Sequence, residues 1–159
     1  MTLADYTDRN LIEPELHATD LPGTLQELSN LLRQEDRVPE ATTFYQAASK
    51  RELICSTALE NGIAFPHARL PNLTAVSFAL GRAPEAIPWG SSNKPKVRLV
   101  FLLAVPANDA ATYLSVLYGM AKLSKESELL KRLVEAKDQV AMLDILRTVT
   151  LRGQAPALA

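Results

Sequence analysis

The stretch Gly62-Ile63-Ala64-Phe65-Pro66-His67-Ala68-Arg69 decides how the rest of this chain is read. Ile63 and Phe65 alternate with Gly62 and Ala64 at the period of two that a strand requires, so one face is large and the other nearly bare. Pro66 withholds a ladder donor, which is expected to end the strand and set His67 at a strand end or sheet edge with a ring nitrogen free for a partner. A histidine by itself is more often a satisfied packing or surface residue than a reactive one. Its neighbours have to change that reading.

Working outward, residues 73–80 offer a bulky face of Val76, Phe78 and Leu80 and a flat one of Ala75, Ser77 and Ala79, against which something packs closely. Residues 96–105 are apolar at nearly every position after Arg98, as in a strand covered on both faces, and stop at Pro106. Between them Ile87-Pro88-Trp89-Gly90-Ser91-Ser92-Asn93 reads as a loop or hairpin excursion, with Trp89 a packing residue. Upstream, Asp20 caps a helix with Pro22 near its start and leucines at 21, 25, 28 and 32. A second helix begins after Pro39 and ends at Lys50-Arg51-Glu52, an ordinary solvated terminus on residue type alone. Residues 11–16 form a short edge strand at most, given Pro14. Downstream, Asn108 or Asp109 caps a helix with Tyr113, Val116, Leu117 and Met120 on one face, and the remainder is mostly helical. Central strands with helices before and after predict an α/β layered domain with a mixed or partly parallel sheet.

Size and charge narrow the classes. The 159 residues are expected to form one domain, with a core over about 11–149 and a frayed tail at 152–159. With 17 basic and 18 acidic residues the net charge is -1, which supplies no field for nucleic acid or an anionic membrane surface. Cys55 is the sole cysteine, so an internal disulfide and a cysteine-built zinc site are excluded; it reads as a small buried hydrophobe in a reducing compartment. No signal peptide or membrane span is visible, and a soluble, cytoplasmic protein without membrane insertion is expected.

Metal ligation at His67 is disfavoured because His17 is the only other histidine and no ligand spacing accompanies either. No GxSxG elbow, GxGxxG or Walker A sequence occurs, so no cofactor and no metal are expected. There remains histidine as its own nucleophile toward a phosphoryl group. That chemistry needs a neutral imidazole with one nitrogen free, a hydrogen bond fixing the other, and donors for the phosphoryl oxygens. Arg51 and Arg69 offer charge, and Ser56 and Thr57 offer hydroxyls.

Arg51-Glu52, Ser56-Thr57, the stretch from Asn61 to Arg69, Ile87-Pro88-Trp89 and residues 97–106 together resemble the enzyme IIA component of the bacterial phosphoenolpyruvate-dependent sugar phosphotransferase system. The likeness is to the fructose/mannitol type, which includes nitrogen-regulatory paralogues, and covers residues 11–149. It implies an α/β fold with a mixed β-sheet flanked by helices on both faces. It also implies that His67 accepts a phosphoryl group from the phosphocarrier HPr, or an HPr-like protein, and passes it on, with Arg51 holding the phosphohistidine. The resemblance implies as partner a permease B domain that takes the phosphate, or a regulatory target protein if the chain acts as a nitrogen-type regulator. A regulatory binding module with weak or no phosphotransfer is the alternative.

Three departures from the family pattern bear on that expectation. Ala58 and Glu60 stand where the family has glycines, so the loop needs another path. Glu60 adds a charge that, at ~8 Å from the phosphate and an effective dielectric near ~20, would repel it by about 2 kcal/mol per unit charge. Tyr113 occupies the place of the family's second histidine, where a phenol can exchange a hydrogen bond with phosphate but adds no positive charge. On residue type alone Tyr113 is core packing.

Overall fold

The computed structural model describes residues 1–90 and 95–151; Ser91, Ser92 and Asn93 of the expected loop, and the tail 152–159, lie outside the described residues. The elements in order are β1 (Ile12–Glu13), α1 (Leu21–Gln34), α2 (Ala41–Ile54), β2 (Ile63–Ala64), β3 (His67–Leu70), β4 (Ser77–Pro88), β5 (Lys96–Pro106), α3 (Ala110–Ser124), α4 (Ser127–Glu135) and α5 (Gln139–Leu146). Among the described residues the five strands make one sheet in the order β1-β4-β5-β2, with β3 also on β5. Only β4 and β5 run antiparallel; β1 joins β4, and β2 and β3 join β5, in parallel. The sheet is therefore mixed, with β5 inside it.

Alternation along the strands divides the core into two layers. Ile63, Phe78, Leu80, Leu99, Phe101, Leu103 and Val105 face α3, α4 and α5 through Val116, Met120, Leu130, Leu133 and Met142. Ala64, Ala68, Ala79, Val100, Leu102 and Ala104 face α1 and α2 through Leu25, Leu28, Leu32, Phe44 and Ala48. Helices thus cover both faces, and the side rich in alanine is the one on which α1 and α2 settle closely.

The helix starts follow from local chemistry. Asp20 accepts the Gly23 amide at 2.8 Å and Pro22 sits in the first turn of α1. Asp109 accepts the Thr112 amide at 3.1 Å, so α3 starts just past β5 and carries Tyr113 at the end of its first turn. No helix among the described residues is long and apolar enough to cross a membrane.

Two strand limits differ from those the sequence predicts. Pro66 interrupts a strand instead of ending it: its carbonyl accepts the Leu103 amide at 2.9 Å, and pairing with β5 resumes at His67. The edge ladder needs that carbonyl and not the absent N–H, so proline is tolerated. Residues 73–76 lie outside β4, although Leu73 and Val76 are buried, and β4 continues through Gly81 to Pro88. A β-carbon at Gly81 would come within 2.8 Å of the Leu16 side chain, so glycine here serves close packing and does not break the strand.

Arg82 fastens three elements. Its guanidinium donates to the carbonyls of Pro14 at 3.0 Å, Leu133 at 2.8 Å and Ala136 at 2.7 Å, taking up unpaired carbonyls at the end of α4. Replacing Arg82 with methionine is expected to cost about 2–3 kcal/mol, read as a lower urea midpoint. An unchanged midpoint would show that water replaces these bonds without loss.

Candidate functional site

The break at Phe65-Pro66 fixes where His67 goes. Proline holds the preceding residue in an extended conformation, so the Phe65 carbonyl is aimed beside the His67 ring, 3.3 Å from Nδ1. A carbonyl can only accept, so Nδ1 carries the proton and Nε2 keeps a lone pair. The Tyr113 hydroxyl lies 3.1 Å from Nε2 and donates to it in the resting protein.

His67 is 9% exposed and forms part of the wall of a cleft of about 340 Å³, lined also by Ala47, Lys50, Arg51, Ile54 and Arg69. The end of α2 contributes Arg51, β3 contributes His67 and Arg69, and α3 contributes Tyr113 from the side of Nε2. Arg69 donates to the Ala107 carbonyl at 2.9 Å and stands 5.6 Å over the Tyr113 ring, which couples the start of α3 to β3. Arg51 makes a long bond, 3.4 Å, to the Cys55 carbonyl.

Burial lowers the His67 pKa from its ordinary 6.5; the Phe65 carbonyl opposes the shift, Arg51 lowers the pKa further, Glu52 raises it and Arg69 lowers it. The ring is accordingly neutral at neutral pH and able to attack an electrophile. Because the fold favours the neutral form, the associated stability is fully present above 6.5 and is lost as pH falls through the lowered folded value. A histidine-selective NMR titration is expected to place the His67 midpoint below 6.5, and a midpoint above it would contradict this environment. Burial raises the Tyr113 pKa, opposed by Arg51 and Arg69, so its phenol stays protonated.

The residues expected near the histidine are only partly brought together. Arg51, Arg69 and Tyr113 meet His67 as described. The Thr57 hydroxyl is turned inward, donating to Glu52 Oε1 at 3.0 Å and accepting the Phe65 amide at 2.9 Å. Ser56 Oγ accepts the Ala58 amide at 3.2 Å, a turn contact within its own loop. Glu60 is exposed, where water and salt screen its charge. Gly62 alone in that loop needs positive φ, at 85°, so Ala58 and Glu60 are accommodated without strain.

Three side chains differ from what their types imply. Glu52 is no solvated helix end: it is 3% exposed and accepts from Thr57 N at 2.7 Å and from Trp89 Nε1 at 2.9 Å. Trp89 is buried as expected but also supplies this donor. Cys55 is exposed, because α2 ends just before it and turns it outward. The sequence signal for Glu52 was the donor-rich surroundings of an acid followed by Ser56-Thr57, too weak to specify burial. Leu53 and Ile54 near the end of α2, and Leu114 next to Tyr113 near the start of α3, are exposed, and Ile54 lines the cleft.

Residues 5–149 match the family model described as phosphoenolpyruvate-dependent sugar phosphotransferase system, EIIA 2. The chain is 29% identical over 146 residues to a nitrogen regulatory protein of Bradyrhizobium diazoefficiens, covering 92% of this chain and 95% of that one. It is 24% identical over 146 residues to the fructose-specific EIIABC component of Bacillus subtilis, covering 92% of this chain but only 23% of that longer protein. Among solved structures, the nitrogen regulatory protein IIA-Ntr of Neisseria meningitidis superposes with a TM-score of 0.83 at 22% identity, covering 91% of this chain and 98% of that one. The mannitol IIA of Escherichia coli superposes with a TM-score of 0.75 at 20% identity, covering 87% and 97%. These likenesses agree on the fold found here, a mixed sheet between two helical layers.

Proposed function

This chain belongs to the EIIA 2 family of the phosphoenolpyruvate-dependent sugar phosphotransferase system, and on that premise we propose that Nε2 of His67 accepts a phosphoryl group and passes it on. The observation that carries the reading is the Phe65 carbonyl at Nδ1, which leaves the lone pair on Nε2, in a residue that shares a cleft with Arg51, Arg69 and Lys50. The donor is a phosphohistidine of an HPr-like phosphocarrier. Its P–N bond breaks as the Nε2–P bond forms, the His67 Nδ1 proton stays in place, and the donor imidazole leaves with its electron pair. Arg51, with Lys50 and Arg69, balances charge on the equatorial oxygens. Tyr113 releases Nε2 by rotating its hydroxyl toward a phosphoryl oxygen.

The exposed Leu53, Ile54 and Leu114 give successive partners an apolar surface to share next to the reacting nitrogen. The same surface supports a second reading, a regulatory module whose phosphorylation state controls a protein partner. The two part on the fate of the phosphate. A carrier loses it to a permease B domain, as befits a fold also seen in the complex of Escherichia coli mannitol IIA with its phosphorylated IIB, whereas a regulator retains it.

Incubation with phosphoenolpyruvate, enzyme I and HPr is expected to leave an alkali-stable, acid-labile phosphate on the protein. No label on the wild type would overturn the reading. Tyr113→His is expected to raise the labelling rate about 5–10-fold by supplying a charge-assisted donor where the phenol supplies a neutral one. An unchanged rate would mean that the phenol does not limit transfer.

A further inference from the structure

A chain of hydrogen bonds runs from Trp89 and Glu52 through Thr57 and Phe65 to His67. Glu52 accepts from the Trp89 indole at 2.9 Å, from the Thr57 amide at 2.7 Å and from the Thr57 hydroxyl at 3.0 Å. The same hydroxyl accepts the Phe65 amide at 2.9 Å, and the Phe65 carbonyl sits 3.3 Å from His67 Nδ1. Phe65 falls in the gap between β2 and β3, so its amide has the Thr57 hydroxyl where a ladder carbonyl would otherwise serve.

We propose that Glu52, acting through Thr57, is a positioning residue that fixes the Phe65 peptide and thereby holds His67 as the Nδ1–H tautomer, with the lone pair kept on Nε2. This rests on the reading of His67 as the phosphoryl acceptor. Thr57 anchors Phe65 from its N–H side, and Pro66 restricts its ψ from the other. Between them the direction of the carbonyl is settled before any partner arrives. A carboxylate suits the place because three donors converge on two oxygens; glutamine would accept at one oxygen and bring an NH2 group against a second donor. The Glu52 charge also favours a proton on the imidazole, countering the burial that lowers its pKa, so the acid tunes the nucleophile as well as aiming it.

The test is the tautomer of His67 in the unphosphorylated protein at neutral pH, read from long-range 1H–15N correlations of the ring. Wild type and Thr57→Ser, which keeps the hydroxyl, are expected to show the proton on Nδ1 alone. Thr57→Val and Glu52→Gln are expected to mix in the Nε2–H form and to accept phosphate about tenfold more slowly, the effect of losing one positioning hydrogen bond. Backbone amide spectra establish that each variant is folded, and either altered variant suffices. Retention of a pure Nδ1–H tautomer in a folded Thr57→Val or Glu52→Gln protein would overturn the proposal. If wild type takes no label, the phosphoryl reading fails, and the tautomer measurement still decides the role of Glu52.

Discussion

Replacement of His67 with alanine is expected to abolish phosphate uptake from HPr while leaving the protein folded. Neither the Tyr113 phenol nor the second histidine is placed to substitute for the imidazole. The Tyr113 phenol stays protonated because burial raises its pKa, and His17 is an exposed residue bound to Glu27 at 3.1 Å. Alanine at 67 removes two side-chain hydrogen bonds but no large apolar volume. Acid-labile label is the readout. Label persisting in His67→Ala would move the acceptor elsewhere.

Arg51→Gln carries the second large effect, a fall of about a hundredfold in the single-turnover rate of phosphate acceptance, measured by rapid quench. The expectation follows from how the two arginines are engaged. Arg69 is committed to the Ala107 carbonyl and the Tyr113 ring, whereas Arg51, among the described residues, makes the long 3.4 Å contact to the Cys55 carbonyl and can turn toward an anion at little cost. Glutamine keeps most of the length and removes the charge. Arg69→Gln should therefore slow transfer less than Arg51→Gln, and the reverse order would reassign the principal cation.

Much of this layout is legible in the chain because it depends on short-range chemistry. Leucines at 21, 25, 28 and 32 with an aspartate cap specify α1, and the unbroken apolar run of β5 specifies a strand covered on both faces. Alternation of Ile63 and Phe65 against Ala64 assigns each to its own helical layer. Where the sequence misleads, a partner distant along the chain decides. Pro66 looks like a strand end, but β5 asks only for its carbonyl. Gly81 looks like a place for β4 to stop, but it lies under Leu16.

The candidate site divides in the same way. His67 and Arg69 stand out by their place after the proline of the strand, and Arg51 and Tyr113 by their places in the family pattern; the structure sets all four around one cleft or its edge. Thr57 stands out for its hydroxyl, yet that hydroxyl faces Glu52 and Phe65. Glu52 reads as a solvated charge because its second partner, Trp89, is 37 residues away, just past the end of β4. Donors and acceptors brought together by tertiary packing have no fixed spacing for a sequence to display.

The central claim is that Nε2, and not Nδ1, of His67 bears the phosphate. Ring nitrogen assignments of the phosphorylated, 15N-labelled protein, with 31P–15N coupling, test it most directly. The account predicts coupling to Nε2 and a proton retained on Nδ1. Coupling to Nδ1, or phosphate on any other residue, would contradict it.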